Sequence, residues 1–146
     1  MLKLTADEEE RVVRAIANAE RGNRGEVRVH IEKTCPAKDP VTRAHAVYKE
    51  QRLDQTQGDT AVLLYVATGS RKVSVWAGAG IHGQGGAEFW KSVTDAVAEH
   101  SKNGKLTDGL VAALGKIGEL LRQHVPGTDT AGNELPNLVT GDGGAR

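Results

Sequence analysis

An uninterrupted apolar run from Ala61 to Ala67 limits the chain to a small set of folds. The run is far too short to cross a bilayer. An apolar segment of this length, without polar alternation, is typical of a strand whose two faces are both buried. Such strands lie inside sheets that carry helices on both sides, so the rest of the sequence should supply those helices and further strands.

Two more strands are predicted around this run. Glu26–Glu32 and Lys72–Trp76 both alternate between apolar and polar side chains, which indicates a strand with one apolar face. A predicted helix separates the first strand from the apolar run, so these two are expected to pair in parallel. The short turn Thr68–Arg71 makes the third strand an antiparallel partner of the second.

Helices account for most of the remaining sequence. Thr5–Glu8 has the form of a capping box and predicts a first helix from about Ala6 to Glu20. Pro40 begins a second helix that ends near Leu53, with Val41, Ala44 and Tyr48 on one face. A third helix is predicted from about Ala87, and a fourth from Leu106 to about Val125.

The predicted order α-β-α-β-β-α-α is that of an α/β protein, a three-layer αβα sandwich with a small mixed sheet. One domain is expected over residues 1–139, followed by a disordered tail over 140–146, which is rich in glycine.

Composition excludes several classes of function. The 19 basic and 19 acidic residues cancel, so no excess of positive charge indicates nucleic-acid binding. The single Cys35 excludes an internal disulfide and a site of several cysteines. No secretory signal or membrane-spanning segment is visible, and the sequence predicts a cytoplasmic protein without membrane insertion.

The topology predicts where polar groups meet. If the first two strands are parallel and the third returns, three segments share one rim of the sheet: residues 25–26, 59–60 and 78–82. Carboxylates, an imidazole, several glycines and the start of the third helix are expected there. We therefore place the candidate site at this rim.

Individual residues of the rim suggest different chemistries. Asp59 and His82 are the candidate catalytic residues, the histidine as a general base or metal ligand. Asp54 and Asp59 are candidate ligands for calcium or another divalent cation, which prefers carboxylate oxygens. Solvated side chains are the alternative for all three.

The glycines before the third helix suggest an anion site. The backbone amides of Gly83, Gly85 and Gly86 could bind phosphate or another anion at a helix N-terminus. No Gly-Lys-Ser/Thr sequence follows them, so they do not form a Walker loop. A flexible connection that needs unusual backbone angles is the alternative.

The polar face of the first strand carries Glu26, Arg28, His30 and Glu32. Charges of opposite sign two residues apart are typical of an exposed or edge strand, and this interpretation is favoured over a catalytic cluster. The sequence also lacks a Gly-x-Ser-x-Gly elbow and a His-Glu-x-x-His motif.

Several segments, in the same order, resemble motifs of the TPM domain family, which occurs in thylakoid-lumen and many bacterial proteins. Asn23–Glu32 and Thr56–Tyr65 resemble its first two strands, Gly80–His82 with Phe89–Trp90 its third helix, and Asn133–Pro136 its tail. The resemblance implies an αβα sandwich, an acid-phosphatase-like activity in some members, calcium binding in others, and roles in assembling or maintaining membrane-protein complexes.

The chain departs from the family pattern at the candidate rim. Asp59–Ala61 replace an Arg-Asn-Gly sequence, and Gly78 stands where the pattern has an acid; in the tail, Asn137 and Leu138 replace two acids. Three functions are therefore considered. The first is an accessory or interaction module with a degenerate polar site. The second is a metal-dependent phosphatase using Asp59, Thr60, His82 and the glycine-rich loop, and the third is a phosphate-binding domain that uses the glycine turn before the third helix.

Overall fold

The computed structural model of the protein describes residues 4–127 and 138–142. Within them the chain forms four helices and four strands, namely α1 Ala6–Glu20, β1 Val27–Glu32, α2 Pro40–Glu50, β2 Val62–Ala67, β3 Lys72–Ala77, α3 His82–Lys102, α4 Leu106–His124 and β4 Val139–Thr140. Two 3-10 turns, Leu53–Gln55 and Gln57–Asp59, connect α2 to β2. The predicted order of elements is confirmed, with β4 as an addition.

The strands form one mixed sheet in the order β3-β2-β1-β4. β1 and β2 are parallel, with Val27 opposite Val62. β3 is antiparallel to β2 and places Ala77 opposite that same Val62. The predicted parallel pair and the predicted hairpin are therefore both confirmed.

The sheet has helices on both faces. Val29 and Leu64 pack on one side in the main core, which α1, α3 and α4 also enter. Leu63 packs on the other side beneath α2, against Val47 and Tyr48. This arrangement confirms the three-layer sandwich, and it explains why the apolar run of β2 has no polar alternation: every residue of β2 is buried.

Local signals set the helix boundaries. Thr5 Oγ1 accepts a 3.1 Å hydrogen bond from the Glu8 amide, and the Glu8 carboxylate accepts one of 2.8 Å from the Thr5 amide. This reciprocal pair is the predicted capping box, and α1 begins at Ala6 as expected. Among the helices of residues 4–127, none combines the length and hydropathy that crossing a bilayer requires.

The third helix starts earlier than predicted. It begins at His82 rather than Ala87, and Gly86 interrupts it with φ 77° and ψ 162°. That backbone conformation is accessible almost only to glycine. The sequence predicts a glycine-rich loop at residues 82–85, but these residues form a separate helical turn. The indole Nε1 of Trp90 donates a 2.9 Å hydrogen bond to the His82 carbonyl of this turn.

The strand β4 was not predicted. The sequence analysis placed Thr140 at the start of a disordered tail, but Thr140 lies in β4 and pairs with His30 of β1. Asp142 also accepts a 2.9 Å hydrogen bond from the Lys33 amide. The remaining residues of the expected tail, 143–146, lie outside the described residues.

A candidate binding site at the rim of the sheet

The three segments predicted to share one rim do meet. The Val62 amide donates a 2.8 Å hydrogen bond to the Glu26 carbonyl, which joins the start of β1 to the start of β2. The amide of Gly80, in the loop after β3, donates a 2.9 Å bond to the Asp59 carbonyl. The predicted meeting of residues 25–26, 59–60 and 78–82 is confirmed.

A cavity of about 620 Å³ opens at this rim. It is bounded by α2 on one side, by the end of β3 and the loop after it on another, and by the 3-10 turns before β2. The lining side chains are Val41, His45, Tyr48, Lys49, Asp54, Asp59, Val75, Trp76, Ala77, Ala79 and His82. Three predicted site residues, Asp54, Asp59 and His82, therefore line one cavity.

Asp59 connects the parts of this cavity. Its Oδ1 accepts a 2.9 Å hydrogen bond from the Tyr48 hydroxyl, and its Oδ2 accepts one of 3.0 Å from the Ala79 amide. The residue has φ 50°, in the left-handed region that aspartate tolerates better than most residues. Both carboxylate oxygens thus hold α2 and the loop after β3 together.

Tyr48 is unsuited to acid–base chemistry at neutral pH. Burial, and then the hydrogen bond to Asp59 and the charges of Asp59 and Asp54, raise the pKa of its hydroxyl well above the usual value. The hydroxyl also lies 3.2 Å from the Ala61 carbonyl oxygen. We interpret this side chain as part of the cavity wall.

The residues present do not fit the calcium site that the family resemblance implies. Calcium takes six to eight oxygen ligands, often from several carboxylates, whereas only two acidic side chains among the described residues, Asp54 and Asp59, line this cavity, and the carboxylate oxygens of Asp59 already accept hydrogen bonds from Tyr48 and Ala79. Across residues 4–127 and 138–142, no three His, Cys, Asp or Glu side chains form a group that could hold a metal ion.

The other predicted site residues are not brought together. Thr60 is buried, and its hydroxyl is directed to the Gln57 carbonyl at 3.4 Å. Gly83, Gly85 and Gly86 do not line the cavity, and the space around Gly83 and Gly86 is open. The sequence hypothesis of a phosphatase centre combining Thr60 with the glycine turn therefore lacks a common site.

His82 stands at the edge of the cavity. Its exposed imidazole stacks parallel to the indole of Trp90, with ring centroids 6.2 Å apart. This contact places the imidazole at one side of the cavity opening.

Sequence reasoning missed the side chains that α2 and β3 contribute. The His45 imidazole stacks on the Trp76 indole with ring centroids 4.0 Å apart. Val41, predicted to share the apolar face of α2 with Ala44 and Tyr48, is instead 49% exposed. It is the only large hydrophobic side chain exposed among the described residues. The one feature of the sequence that could have indicated this exposure is the presence of an aliphatic residue at the very start of a helix.

The polar face of β1 is also placed differently from expectation. The sequence pattern favoured an exposed or edge strand, and this interpretation is wrong: Glu26, Arg28, His30 and Glu32 are all buried. β4 pairs with the other side of β1 and makes it an internal strand, and Glu20 of α1 and Arg43 of α2 contact Arg28 and Glu32 on its polar face.

Glu32 is the centre of this buried network. The Arg43 guanidinium donates two hydrogen bonds to its carboxylate, at 2.9 and 3.0 Å, and the Tyr65 hydroxyl donates another. Burial by itself would raise the pKa of Glu32, but the hydrogen bonds from Arg43, Tyr65 and His30 outweigh it and lower the pKa to about 2. Glu32 is therefore ionised at neutral pH and joins β1, β2 and α2.

The same network attaches β4. Gln51, the residue directly after α2, donates a 2.6 Å hydrogen bond to the Thr140 hydroxyl, which lies 2.8 Å from His30 Nδ1. The other ring nitrogen, Nε2, lies 3.2 Å from a carboxylate oxygen of Glu32, so the imidazole connects β4 to Glu32. We read this chain of bonds as structural, because each member has a partner within it.

Fold and site together define a class of protein: a three-layer α/β domain with a largely apolar cavity at one rim of its sheet. The sequence matches the family model of the TPM domain over residues 3–120. The chain belongs to the TPM domain family, which confirms the resemblance of its motifs.

Solved structures support this assignment. The chain is similar to the BA42 protein of the psychrophilic bacterium Bizionia argentinensis, known from an NMR structure, with a TM-score of 0.83 and 34% identity over 94% of each chain. The N-terminal domain of the cg2496 protein of Corynebacterium glutamicum has a TM-score of 0.64 and 12% identity, over 81% of this chain and 74% of that one, which shows a shared fold alone. No curated protein matches the chain.

Proposed function

We propose that this TPM domain is a non-catalytic interaction module, and that the cavity at the rim binds a segment of a partner protein. The observation that carries the proposal is the exposure of Val41 in the wall of this cavity, beside the stacked rings of His45 and Trp76. Aromatic and aliphatic groups around a concave opening are typical of protein-recognition sites.

The polar groups of the cavity support binding over catalysis. Phosphoryl transfer needs positive charge or a metal ion around the transferred group, and a nucleophile or base free to react. Here Asp59 is committed to Tyr48 and Ala79. Lys49 is the only Lys or Arg side chain among the described residues that line the cavity.

A turnover assay tests the catalytic alternative directly. The purified protein is incubated with p-nitrophenyl phosphate at several pH values, with calcium, magnesium or manganese present in turn. We expect no saturable turnover. Saturable turnover that Asp59→Asn abolishes would contradict the proposal, and Asp95→Asn, at an exposed aspartate of α3 outside the cavity, serves as the matched control.

Site-specific photo-crosslinking tests the binding role. A benzoylphenylalanine at position 41 is expected to capture a partner in the source cells, whereas the same group at position 112, an exposed alanine on α4, is not. The captured protein is identified, purified and titrated against the TPM domain.

The titration compares two matched variants. Val41→Asn is expected to weaken binding by about tenfold or more, because it replaces the exposed aliphatic contact with a hydrated amide and adds no charge. Val41 is 49% exposed, so a polar group should be tolerated there and the fold should be kept. Ala112→Asn makes the same type of change outside the cavity and should leave affinity unchanged. A partner that binds Val41→Asn as tightly as the wild-type protein would place the interaction elsewhere.

A further inference from the structure

We propose that the partner segment binds in an extended conformation, adds to the sheet as a strand along the outer edge of β3, and inserts a lysine or arginine side chain into the rim cavity. This inference rests on the proposed function and specifies the chemistry of the occupant. It is argued from the edge of the sheet, the register of β3, the position of the cavity and its charge.

β3 is an edge strand. In the part of the chain that the structure describes, β2 lies on one side of it and no strand lies on the other. Edge strands of monomeric proteins are usually blocked by a charge, a proline or a bulge. Here Lys72 stands at the first position only, and residues 73–77 contain neither a charge nor a proline. The edge therefore remains open to another strand.

The register shows which backbone groups face outward. The Gly78 amide donates to the Ala61 carbonyl across the hairpin, and the pairing continues with Trp76 opposite Leu63 and Ser74 opposite Tyr65. In an antiparallel ladder, hydrogen-bonded pairs alternate with pairs that point their N–H and C=O groups away. Val73, Val75 and Ala77 therefore direct their backbone groups to the free edge.

The cavity opens at this same edge. The side chains of Val75 and Ala77 belong to the core on the opposite face of the sheet, yet both residues line the cavity. Val75 and Ala77 therefore border the cavity at the free edge of β3. Trp76 lies between them, and its side chain is on the α2 face. A strand added here would place every second side chain on the α2 face, toward Val41 and His45.

Charge favours a basic side chain in the cavity. Two carboxylates, those of Asp54 and Asp59, line the cavity, and one ammonium group, that of Lys49, opposes them in charge. Asp54 is exposed and can pair with a cation at the opening of the cavity. The Trp76 indole offers the same cation an aromatic face. Backbone pairing along an edge with one side-chain pocket is a recurrent mode of peptide recognition.

Hydrogen exchange of the free protein tests the open edge. By two-dimensional NMR, the amides of Val73 and Val75 should exchange at least about 100-fold faster than those of Ser74 and Trp76, because only the latter are bonded within the sheet. Equal protection of all four amides would show that the edge is already covered, and would overturn the inference.

A peptide titration tests the occupant. The probe is a capped heptapeptide of alternating threonine and valine with arginine at its centre, added at millimolar concentration. We expect saturable amide shifts along 73–77 and at the Trp76 indole. A matched peptide with glutamate at the centre should bind at least about fivefold more weakly. A third peptide, in which proline replaces every second residue, should not bind. Absence of shifts in β3, or equal shifts from the proline peptide, would overturn the inference.

Val75→Pro supplies the matching change in the protein. It removes an outward N–H and no bond to β2, so the hairpin should persist, and we expect peptide affinity to fall by about tenfold or more. Val75→Thr also changes the side chain but keeps the N–H, so a loss of affinity in Val75→Pro that Val75→Thr does not share is assigned to the missing N–H. If the proline variant does not fold, peptides N-methylated at alternate residues make the same test on the wild-type protein.

The two proposals fail differently. A captured partner whose binding Val41→Asn weakens, but which leaves the β3 amides as exchangeable as before, would support the proposed function and overturn the edge inference. Metal-dependent phosphatase turnover lost in Asp59→Asn would overturn the proposed function itself.

Discussion

Asp59 occupies the space in which a side chain at position 78 would lie: a methyl group on Gly78 would overlap the backbone oxygen and Oδ1 of Asp59. The TPM pattern that the sequence resembles has an acid where this chain has Gly78. In this chain the acid at the rim comes from the start of β2 instead. The glycine and the aspartate therefore form one packing unit.

Gly78→Ala should be severely destabilising. The added methyl group meets backbone and carboxylate atoms of Asp59 and the Tyr48 hydroxyl, none of which is the end of a flexible chain. We expect a loss of about 3 kcal/mol or more in the free energy of unfolding, measured by urea denaturation. Gly83→Ala is the control, because nothing lies within 4 Å of a methyl group there. A Gly78→Ala protein as stable as the Gly83→Ala protein would contradict this packing.

Asp59→Asn should weaken the closure of the cavity. The asparagine oxygen can still accept from Tyr48, but its amide group cannot accept from the Ala79 N–H, and the left-handed backbone of residue 59 remains tolerated. A loss of about 1–2 kcal/mol is expected by urea denaturation, together with faster exchange of the Ala79 amide. Asp54→Asn, at an exposed position of the same cavity, should change stability by less than about 0.5 kcal/mol. Equal effects of the two substitutions would disprove the bridging role of Asp59.

Divalent cations should leave the melting temperature unchanged. A ligand that binds only the folded protein raises its stability with concentration, and only two acidic side chains of the described part of the chain line the cavity, fewer than a calcium site usually has. Thermal unfolding in a series of calcium, magnesium and manganese concentrations provides the measurement. A rise in melting temperature with concentration that Asp54→Asn and Asp59→Asn together remove would establish a metal site at the rim.

Stability should fall in acid as Glu32 is protonated. Its pKa in the folded protein is about 2, below the usual 4.5, so its contribution is fully present above about pH 4.5 and is lost as the pH falls toward 2. For a shift of this size the loss is on the order of 2–3 kcal/mol. Urea denaturation at several pH values should show this slope in the wild-type protein and a shallower one in Glu32→Gln.

Glu50→Gln is the control for this pH dependence. Glu50 also approaches Arg43, at 3.7 Å, but its side chain is 65% exposed, so the acid slope should persist in that variant. An unchanged slope in Glu32→Gln would assign the pH dependence to other carboxylates.

Thr140→Val should loosen β4. The substitution keeps the branched shape but removes the hydroxyl that accepts from Gln51 and faces His30. A loss of about 1–2 kcal/mol is expected. The specific readout is the Val29 amide, which donates to the Leu138 carbonyl and should exchange faster in the variant. Thr94→Val, on α3, makes the same chemical change away from β4 and should leave that amide protected.

Local patterns of the sequence predicted most of the fold. The apolar run of β2, the alternation in β1 and β3, and the capping box of α1 each concern residues only a few positions apart, and their periodicity reports which face is buried. The start of α3 was misplaced because glycines suggest a loop, whereas a single interruption at Gly86 allowed a helical turn before it.

The sequence by itself determined the order of the elements, the pairing of the first three strands and the meeting of three segments at one rim. Only the tertiary structure decided which contacts the polar residues of this rim and of β1 make. The carboxylate of Asp59 accepts hydrogen bonds from groups 11 and 20 residues away, and His30 pairs with Thr140, 110 residues away, in β4, which makes the apparent edge strand β1 an internal one. Periodicity reports the face of an element on which a residue lies; the partner packed against that face depends on contacts between segments remote in the chain, which no local pattern encodes.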